Sequence, residues 1–175
     1  MSIIFLFIAL LGPRVLKGER AIQKYGLDIY LLIDISQSMM VKDIKPDRIS
    51  VVKDTVDFLL NSLSGDRLGI IPFASGAFRQ LPLTDDYKLI RMFLDVLEYD
   101  IISVSGTDID KALNLAVDSF DETINTTKVV ILFSDGENHD KKIKGIERLR
   151  NKNIKVYTVT VGTKKGGMVP EYDDS

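Results

Sequence analysis

Apolar residues in this chain form short runs that alternate with segments of helical periodicity. Residues 27–33 are almost continuously apolar, a pattern typical of a central parallel strand that is covered on both faces. Similar runs predict strands at residues 67–73 and 128–133, and a regular alternation predicts another at residues 154–161. Residues 77–81 follow the second strand after a short turn, which favours an antiparallel edge strand there.

Between these runs, apolar residues recur at spacings of three and four, which predicts amphipathic helices. The first helix follows Asp47, a residue that can cap it, and its apolar positions extend from Ile49 to Leu63. Further helices are predicted around residues 89–97, 109–120 and 141–151. Alternation of strands and helices predicts an α/β fold with a doubly wound, mostly parallel sheet flanked by helices and one antiparallel edge strand.

The N-terminal end differs from this pattern. Residues 3–11 are consecutively apolar, too few for a membrane span, which needs roughly 20 residues. Basic residues follow at Arg14, Lys17, Arg20 and Lys24, as in the interfacial collar of a membrane helix. We therefore interpret residues 1–12 as the remnant of a membrane helix, 13–26 as a linker and 27–175 as the folded domain; a core strand or helix of a soluble fold is the alternative for the first segment.

Composition excludes several chemistries. The chain of 175 residues has no cysteine, so disulfides, thiol catalysis and cysteine-ligated metals are excluded. It has one histidine, His139, which excludes a multi-histidine metal centre. The net charge of −2 gives no general attraction to nucleic acid, and we expect no nucleic-acid partner.

Polar residues follow two of the predicted strands and open one later loop. Asp34, Ser36 and Ser38 follow the first strand, Asp135 follows the strand at 128–133, and Thr107 precedes a predicted helix, where its hydroxyl could alternatively serve as a cap. In an open α/β sheet, ligands bind beyond the carboxyl ends of the strands. Two carboxylates and three hydroxyls supply five oxygens, one fewer than octahedral Mg²⁺ requires. A carboxylate from a partner protein could supply the sixth.

Other chemistries compete for this crevice. The G-x-G-x-x-G and P-loop patterns are absent after the first strand. A Mg²⁺-dependent phosphohydrolase could use Asp34 as its nucleophile, but such enzymes usually have a second acid two residues later, where this chain has Ser36. A serine hydrolase would need a nucleophile elbow, which surrounds neither Ser36 nor Ser38. A purely structural role, in which the motif stabilises the loops of an envelope domain, also stays open.

The sequences D-I-S-Q-S at 34–38, G-T at 106–107 and S-D-G-E at 134–137 resemble the three loops of the metal-ion-dependent adhesion site of von Willebrand factor A domains. Further stretches at 13–29, 65–69, 82–85 and 135–139 resemble the bacterial Bat, or aerotolerance-related, proteins. The resemblance implies a Rossmann-like fold in which Ser36 and Ser38 contact the ion directly. It implies that Asp34 belongs to the first metal loop, that Thr107 binds directly or through water, and that Asp135 usually acts through water.

The resemblance also implies a function without catalytic turnover. We expect Mg²⁺, or alternatively Mn²⁺ or Ca²⁺, as the bound ion, and a protein partner that presents a carboxylate. Other Bat proteins and a MoxR-type AAA+ ATPase are the partners implied, in envelope stress tolerance or complex assembly. The expected location is the bacterial inner membrane, with the domain in the aqueous phase on the periplasmic side. Because such domains continue with another helix and a sixth strand, we expect a chain truncated at its C-terminus, with the strand at 154–161 left uncovered.

Overall fold

A computed structural model describes residues 26–97, 106–136, 143–163 and 166–167 of the chain. The predicted apolar segment at 1–12, nearly all of the linker at 13–26, and His139 lie outside the described residues. Within the described ranges, no helix has the length and apolar character needed to cross a membrane. The membrane segment therefore stays a prediction.

Five strands form one sheet in the order β3-β2-β1-β4-β5. The strands are β1 (Leu27–Asp34), β2 (Arg67–Phe73), β3 (Leu81–Thr84), β4 (Thr127–Ser134) and β5 (Lys155–Thr160). β1 is central and runs parallel to β2 and β4, β5 is parallel to β4, and β3 is antiparallel to β2. The predicted mostly parallel sheet with one antiparallel edge strand is thus confirmed.

Helices connect the strands and cover the sheet. They are α1 (Arg48–Ser62), α2 (Tyr87–Asp95), α3 (Ile109–Ser119) and α4 (Gly145–Asn151), with one 3₁₀ turn at Gln37–Met40. Asp47 caps α1 as predicted, because its Oδ1 accepts a hydrogen bond from the backbone N–H of Ser50 at 2.7 Å. α4 begins later than predicted, and residues 137–142 before it lie outside the part of the chain that the structure describes.

Side chains of β1 point alternately into two cores, one on each face of the sheet. Leu31 and Ile33 pack with α1 and α2, whereas Tyr30 and Leu32 pack with α3 and α4. All four are at most 1% exposed, and each buried aliphatic side chain stabilises the fold by about 1.5–3 kcal/mol. Burial on both faces explains the continuous apolar run in the sequence, and it fixes the position at which β1 ends and the polar loop begins.

The predicted edge strand at 77–81 is wrong in position. The structure has only an isolated antiparallel bridge there, between Phe73 and Ala77, and the edge strand β3 lies later, from Leu81 to Thr84. Its pairing to β2 also contains a register shift. Pro82 lies within β3, and proline is tolerated in an edge strand because its missing N–H can face away from the ladder.

Strand β5 forms the opposite edge of the sheet. Five of its six residues are exposed, including Tyr157 at 56%. In the part of the chain that the structure describes, no strand pairs with the outer edge of β5, and the predicted truncation stays a prediction.

Candidate metal site

The loops after β1, β2 and β4 meet at the carboxyl edge of the sheet. β1 lies between β2 and β4. The chain builds β2 and β3 on one side of β1 and then crosses to β4 on the other side, which creates a switch point of strand order. The Ile35 N–H donates to the Phe73 carbonyl at 2.8 Å, which joins the first two loops. The Asp108 N–H donates to the Ala74 carbonyl at 2.7 Å, which brings the segment containing Thr107 to the same edge.

Asp34 is the innermost acid of this edge, and its side chain is fully buried. Its Oδ1 accepts a hydrogen bond from the Ser36 N–H at 3.0 Å, and its Oδ2 accepts one from the Ser134 hydroxyl at 2.8 Å. Burial raises the pKa of Asp34, these hydrogen bonds oppose the rise, and the nearby negative charge of Asp135 adds to it. Among the described residues Asp34 forms no ion pair.

Ser36 and Ser38 place two hydroxyls beside this carboxylate. Both residues are buried, and their Oγ atoms lie 3.0 Å apart. The 3₁₀ turn that contains Ser38 is held by a hydrogen bond from the Met39 N–H to the Ser36 carbonyl and by the burial of Met39 in the core. The sequence alternation of an acid and two hydroxyls thus becomes a cluster of oxygens that share one buried location.

Thr107 is buried, but it does not cap α3. The cap is Asp108, whose Oδ1 accepts a hydrogen bond from the Lys111 N–H at 2.9 Å. The capping alternative for Thr107 is therefore wrong, and its hydroxyl does not serve the helix end. Gly106 precedes it at a φ of +122°, a conformation that side-chain-bearing residues rarely adopt.

Asp135 extends from the end of β4, and its side chain is 4% exposed. Its Oδ2 accepts a hydrogen bond from Nη1 of Arg48 at 2.8 Å. The two predicted acids therefore differ: Asp34 is bonded by neutral donors, whereas Asp135 already forms an ion pair. The structure brings Asp34, Ser36 and Ser38 into direct contact, and it places Asp135 and Thr107 on the neighbouring loops.

The sequence patterns did not indicate three residues that contribute to this region, which are Arg48, Asp43 and Ser134. Ser134 donates to Asp34, and Arg48 bonds both Asp135 and Asp43. A signal for Arg48 existed: it is a cation in the first turn of a helix, where the helix dipole disfavours positive charge. Ser134 and Asp43 gave no comparable signal, because a hydroxyl at a strand end and an acid in a polar loop are common.

The donor set fits a hard divalent cation. It consists of oxygens alone, which suit Mg²⁺, Mn²⁺ or Ca²⁺ better than ions that prefer nitrogen and sulfur. Asp34, Ser36 and Ser38 would hold the ion from the first loop, with Thr107 and Asp135 on the loops beside it. The buried charge of Asp34 has no cationic partner in the described structure, and a metal ion would supply one.

Comparisons with known proteins agree with this architecture. A family model for the von Willebrand factor type A domain matches residues 29–137. An aerotolerance-related membrane protein from Bacteroides fragilis is 32% identical at a TM-score of 0.79, over 86% of this chain and 74% of that one. BatB from Bacteroides thetaiotaomicron is 35% identical at a TM-score of 0.79, over 83% of this chain and 72% of that one.

A more distant structure and several curated relatives also match the chain. Proximal thread matrix protein 1 from the mussel byssus, solved with a zinc-occupied MIDAS motif, is 23% identical at a TM-score of 0.68. That match covers 79% of this chain and 36% of the mussel protein, and it shows similarity of fold alone. The chain spans about half the length of the curated relatives it matches. From the family model and the two bacterial structures, the chain belongs to the von Willebrand factor type A domain family and, within it, is similar to the Bat proteins.

Proposed function

We propose that this domain is a divalent-metal-dependent protein-interaction module without catalytic turnover. The observation that carries the proposal is the fully buried carboxylate of Asp34, which lies beside two buried serine hydroxyls and, among the described residues, accepts hydrogen bonds only from neutral donors. A bound ion would neutralise that charge. Mg²⁺ is the proposed ion, with Mn²⁺ and Ca²⁺ as alternatives.

The composition of the donor set supports adhesion rather than chemistry. Two carboxylates and three hydroxyls leave one octahedral position for an outside ligand. Because the hydroxyls are neutral, the ion can still attract a negatively charged ligand to that position. A carboxylate of a partner protein fits that position. The position at which a phosphohydrolase would have its second acid holds Ser36, whose hydroxyl contacts Ser38 at 3.0 Å.

The comparisons support the same proposal in outline. A solved relative of the same fold has zinc in its MIDAS motif, and a bacterial relative is named as a membrane protein. We accordingly propose that the full protein is anchored in the bacterial inner membrane, with this domain on the periplasmic side. Other Bat proteins and a MoxR-type AAA+ ATPase are the proposed partners, in envelope stress tolerance or complex assembly.

A thermal-shift titration with MgCl₂ and MnCl₂ into the millimolar range tests the metal requirement. An ion present at 100 times its Kd stabilises the folded state by roughly 2.7 kcal/mol. For a domain of this size, that raises the melting temperature by roughly 5–10 °C. Asp34→Asn should remove the shift, whereas Asp28→Asn, which alters a buried acid at the other end of β1, should keep it.

Partner capture tests the second half of the proposal. The immobilised domain is incubated with detergent-solubilised membranes of the source cell, in Mg²⁺ or in EDTA. We expect one or more proteins to be retained in Mg²⁺, released by EDTA and not retained by Asp34→Asn. Partners that bind Asp34→Asn as well as the wild type would instead indicate that the motif only stabilises the loops.

A further inference from the structure

Arg48 donates at least four hydrogen bonds at the carboxyl edge of the sheet. Its Nε and Nη2 donate to the two carboxylate oxygens of Asp43, at 2.9 and 3.0 Å. Its Nη1 donates to Oδ2 of Asp135 at 2.8 Å and to the Ser38 carbonyl at 3.2 Å. The side chain is only 8% exposed. One guanidinium thus bonds to the loop after β1 and to the loop after β4.

The charge of Arg48 is matched by Asp43. The hydrogen bonds from Arg48, followed by the bond from the backbone N–H of Thr163, hold the pKa of Asp43 well below its usual range. Asp43 is therefore ionised at neutral pH, and the fork-to-fork pair with Arg48 carries no net charge. Nη1 can then orient Asp135 without adding a full positive charge beside a metal ion.

The same pair extends to the loop after β5. Oδ2 of Asp43 accepts hydrogen bonds from the Thr163 N–H at 2.7 Å and from the Thr163 hydroxyl at 2.9 Å. Gly162 packs against the guanidinium so closely that a Cβ there would lie 3.3 Å from Cζ of Arg48. Three loops at this edge, after β1, β4 and β5, are therefore joined through one ion pair.

Arg48 lies at a position in its helix that disfavours a cation, which indicates that its ion pairs hold it there. It is the first residue of α1, where the partial positive charge of the helix N-terminus repels a cation. Its guanidinium is nevertheless buried and bonded to two carboxylates. Partners of this kind, which bond a ligand without touching the ion, fix ligand orientation in metal sites.

We propose that Arg48 is a positioning residue of the metal site: paired with Asp43, it orients Asp135 and the Ser38 backbone for the ion and links both to the loop after β5. The inference rests on the proposed function, since it concerns the same site. Because linkage is reciprocal, an ion that orders Asp135 and Ser38 should also order the segment around Thr163.

Mn²⁺ titration of Arg48→Lys tests the positioning role, because lysine keeps the charge but cannot form the fork. We expect its Kd for Mn²⁺ to rise by about 10- to 100-fold, the usual cost of losing such a partner. Asp43→Asn should weaken binding as well, although Asp43 belongs to no proposed ligand set. The matched control is Arg67→Lys, which breaks the bidentate Arg67–Asp28 pair at the opposite end of β1 and should leave the Kd unchanged.

Hydrogen exchange supplies a second readout, whose first part uses the wild type alone. In the wild type, Mg²⁺ should slow exchange in the peptide that contains Thr163, and in metal-free Arg48→Lys or Asp43→Asn the same peptide should exchange faster than in the wild type. Unchanged Thr163 exchange on addition of Mg²⁺ to a wild type that binds it would contradict the link to the loop after β5.

The outcomes separate this inference from the proposed function. A wild type that binds no Mn²⁺ overturns both. A wild type that binds, with folded Arg48→Lys and Asp43→Asn binding equally well, overturns the positioning role alone. Equal weakening by Arg67→Lys would mean that the effect follows general loss of stability, and it also overturns the inference. If Arg48→Lys fails to fold, Asp43→Asn and the wild-type exchange experiment decide.

Discussion

Strand β1 has a buried acid near each end, and the two have different partners. Asp28 accepts two hydrogen bonds from the Arg67 guanidinium, at 2.8 and 2.7 Å, and one from the Thr126 hydroxyl at 2.5 Å. Asp34 accepts hydrogen bonds from an N–H and a hydroxyl, and no ion pair to it occurs in the described part of the chain. Both side chains are buried, at 1% and 0% exposure.

The difference separates a structural acid from one that is available to a ligand. At the Asp28 end the chain itself supplies the countercharge, so the site is complete and needs nothing from outside. At the Asp34 end a backbone N–H and a hydroxyl occupy the positions that a guanidinium could fill, and these neutral donors leave the negative charge for an external cation. Arg48, which lies at the same edge of the sheet, is paired with Asp43 and Asp135.

The largest effect on stability is expected from Asp28→Asn. The substitution leaves Arg67 without its carboxylate and should lower the free energy of unfolding by about 2–3 kcal/mol, below the cost of a fully buried pair because Arg67 is 34% exposed. Urea denaturation measures the loss. The metal-induced rise in melting temperature should persist; its disappearance would mean that the two ends of β1 are not independent.

Removing both hydroxyls, with Ser36→Ala and Ser38→Ala together, should act on the metal instead. The two Oγ atoms contact each other, so their joint removal leaves neither without its partner, and the loss in metal-free stability should be limited to the hydrogen bond between the Ser36 side chain and Asp34. Metal affinity should fall by roughly 10-fold or more, since even a residue that only orients a ligand contributes that much. Calorimetric titration with Mn²⁺ gives the Kd, and an unaltered Kd would exclude these serines as ligands.

Substitutions of the neighbouring residues Thr107 and Asp108 should distinguish a metal ligand from a helix cap. Asp108→Ala removes the cap of α3 and should cost about 1 kcal/mol without changing Mn²⁺ affinity. Thr107→Val keeps the shape of the side chain but loses the hydroxyl, so it should weaken Mn²⁺ binding with a smaller loss of stability. Paired denaturation and titration experiments check both, and the reverse pattern would assign the ligand role to Asp108.

Asp34→Asn should change stability in the opposite direction to Asp28→Asn. Burial raises the pKa of Asp34 in the folded state, so the charged form costs stability above that pKa. Without metal, the variant should therefore melt above the wild type at neutral pH, by less than the full cost of the buried charge because one amide oxygen replaces two acceptors. The advantage should shrink as pH falls towards the unfolded pKa of an aspartate, about 3.9. A lower melting temperature would indicate a structural acid.

Most of the fold follows from local patterns in the sequence. The apolar run at 27–33 requires cover on both faces, and the structure places Leu31 and Leu32 in opposite cores. Parallel strands carry their following loops to one edge, so Asp34 and Asp135 could be assigned to neighbouring loops before the structure was known. Asp47 could be assigned as a cap because that role depends only on the residues beside it.

The remaining features depend on contacts between distant residues. The edge strand was misplaced because its position depends on where the chain pairs with β2, and the turn at residues 75–76 does not determine that register. Arg48 and Asp135 are 87 residues apart, and Ser134 and Asp34 are 100 apart, so no local pattern indicates either hydrogen bond. The first loop of the site was therefore predictable, and the side chains that orient it were not.

The most direct test of the central claim is a calorimetric titration of Mn²⁺ into the metal-free wild type and Asp34→Asn. We expect one ion to bind per wild-type domain, Mg²⁺ to compete for the same site, and Asp34→Asn to show no binding over the same concentration range. Absence of binding to a folded wild type in millimolar Mn²⁺, or equal binding by Asp34→Asn, would contradict the assignment of this buried acid to a metal.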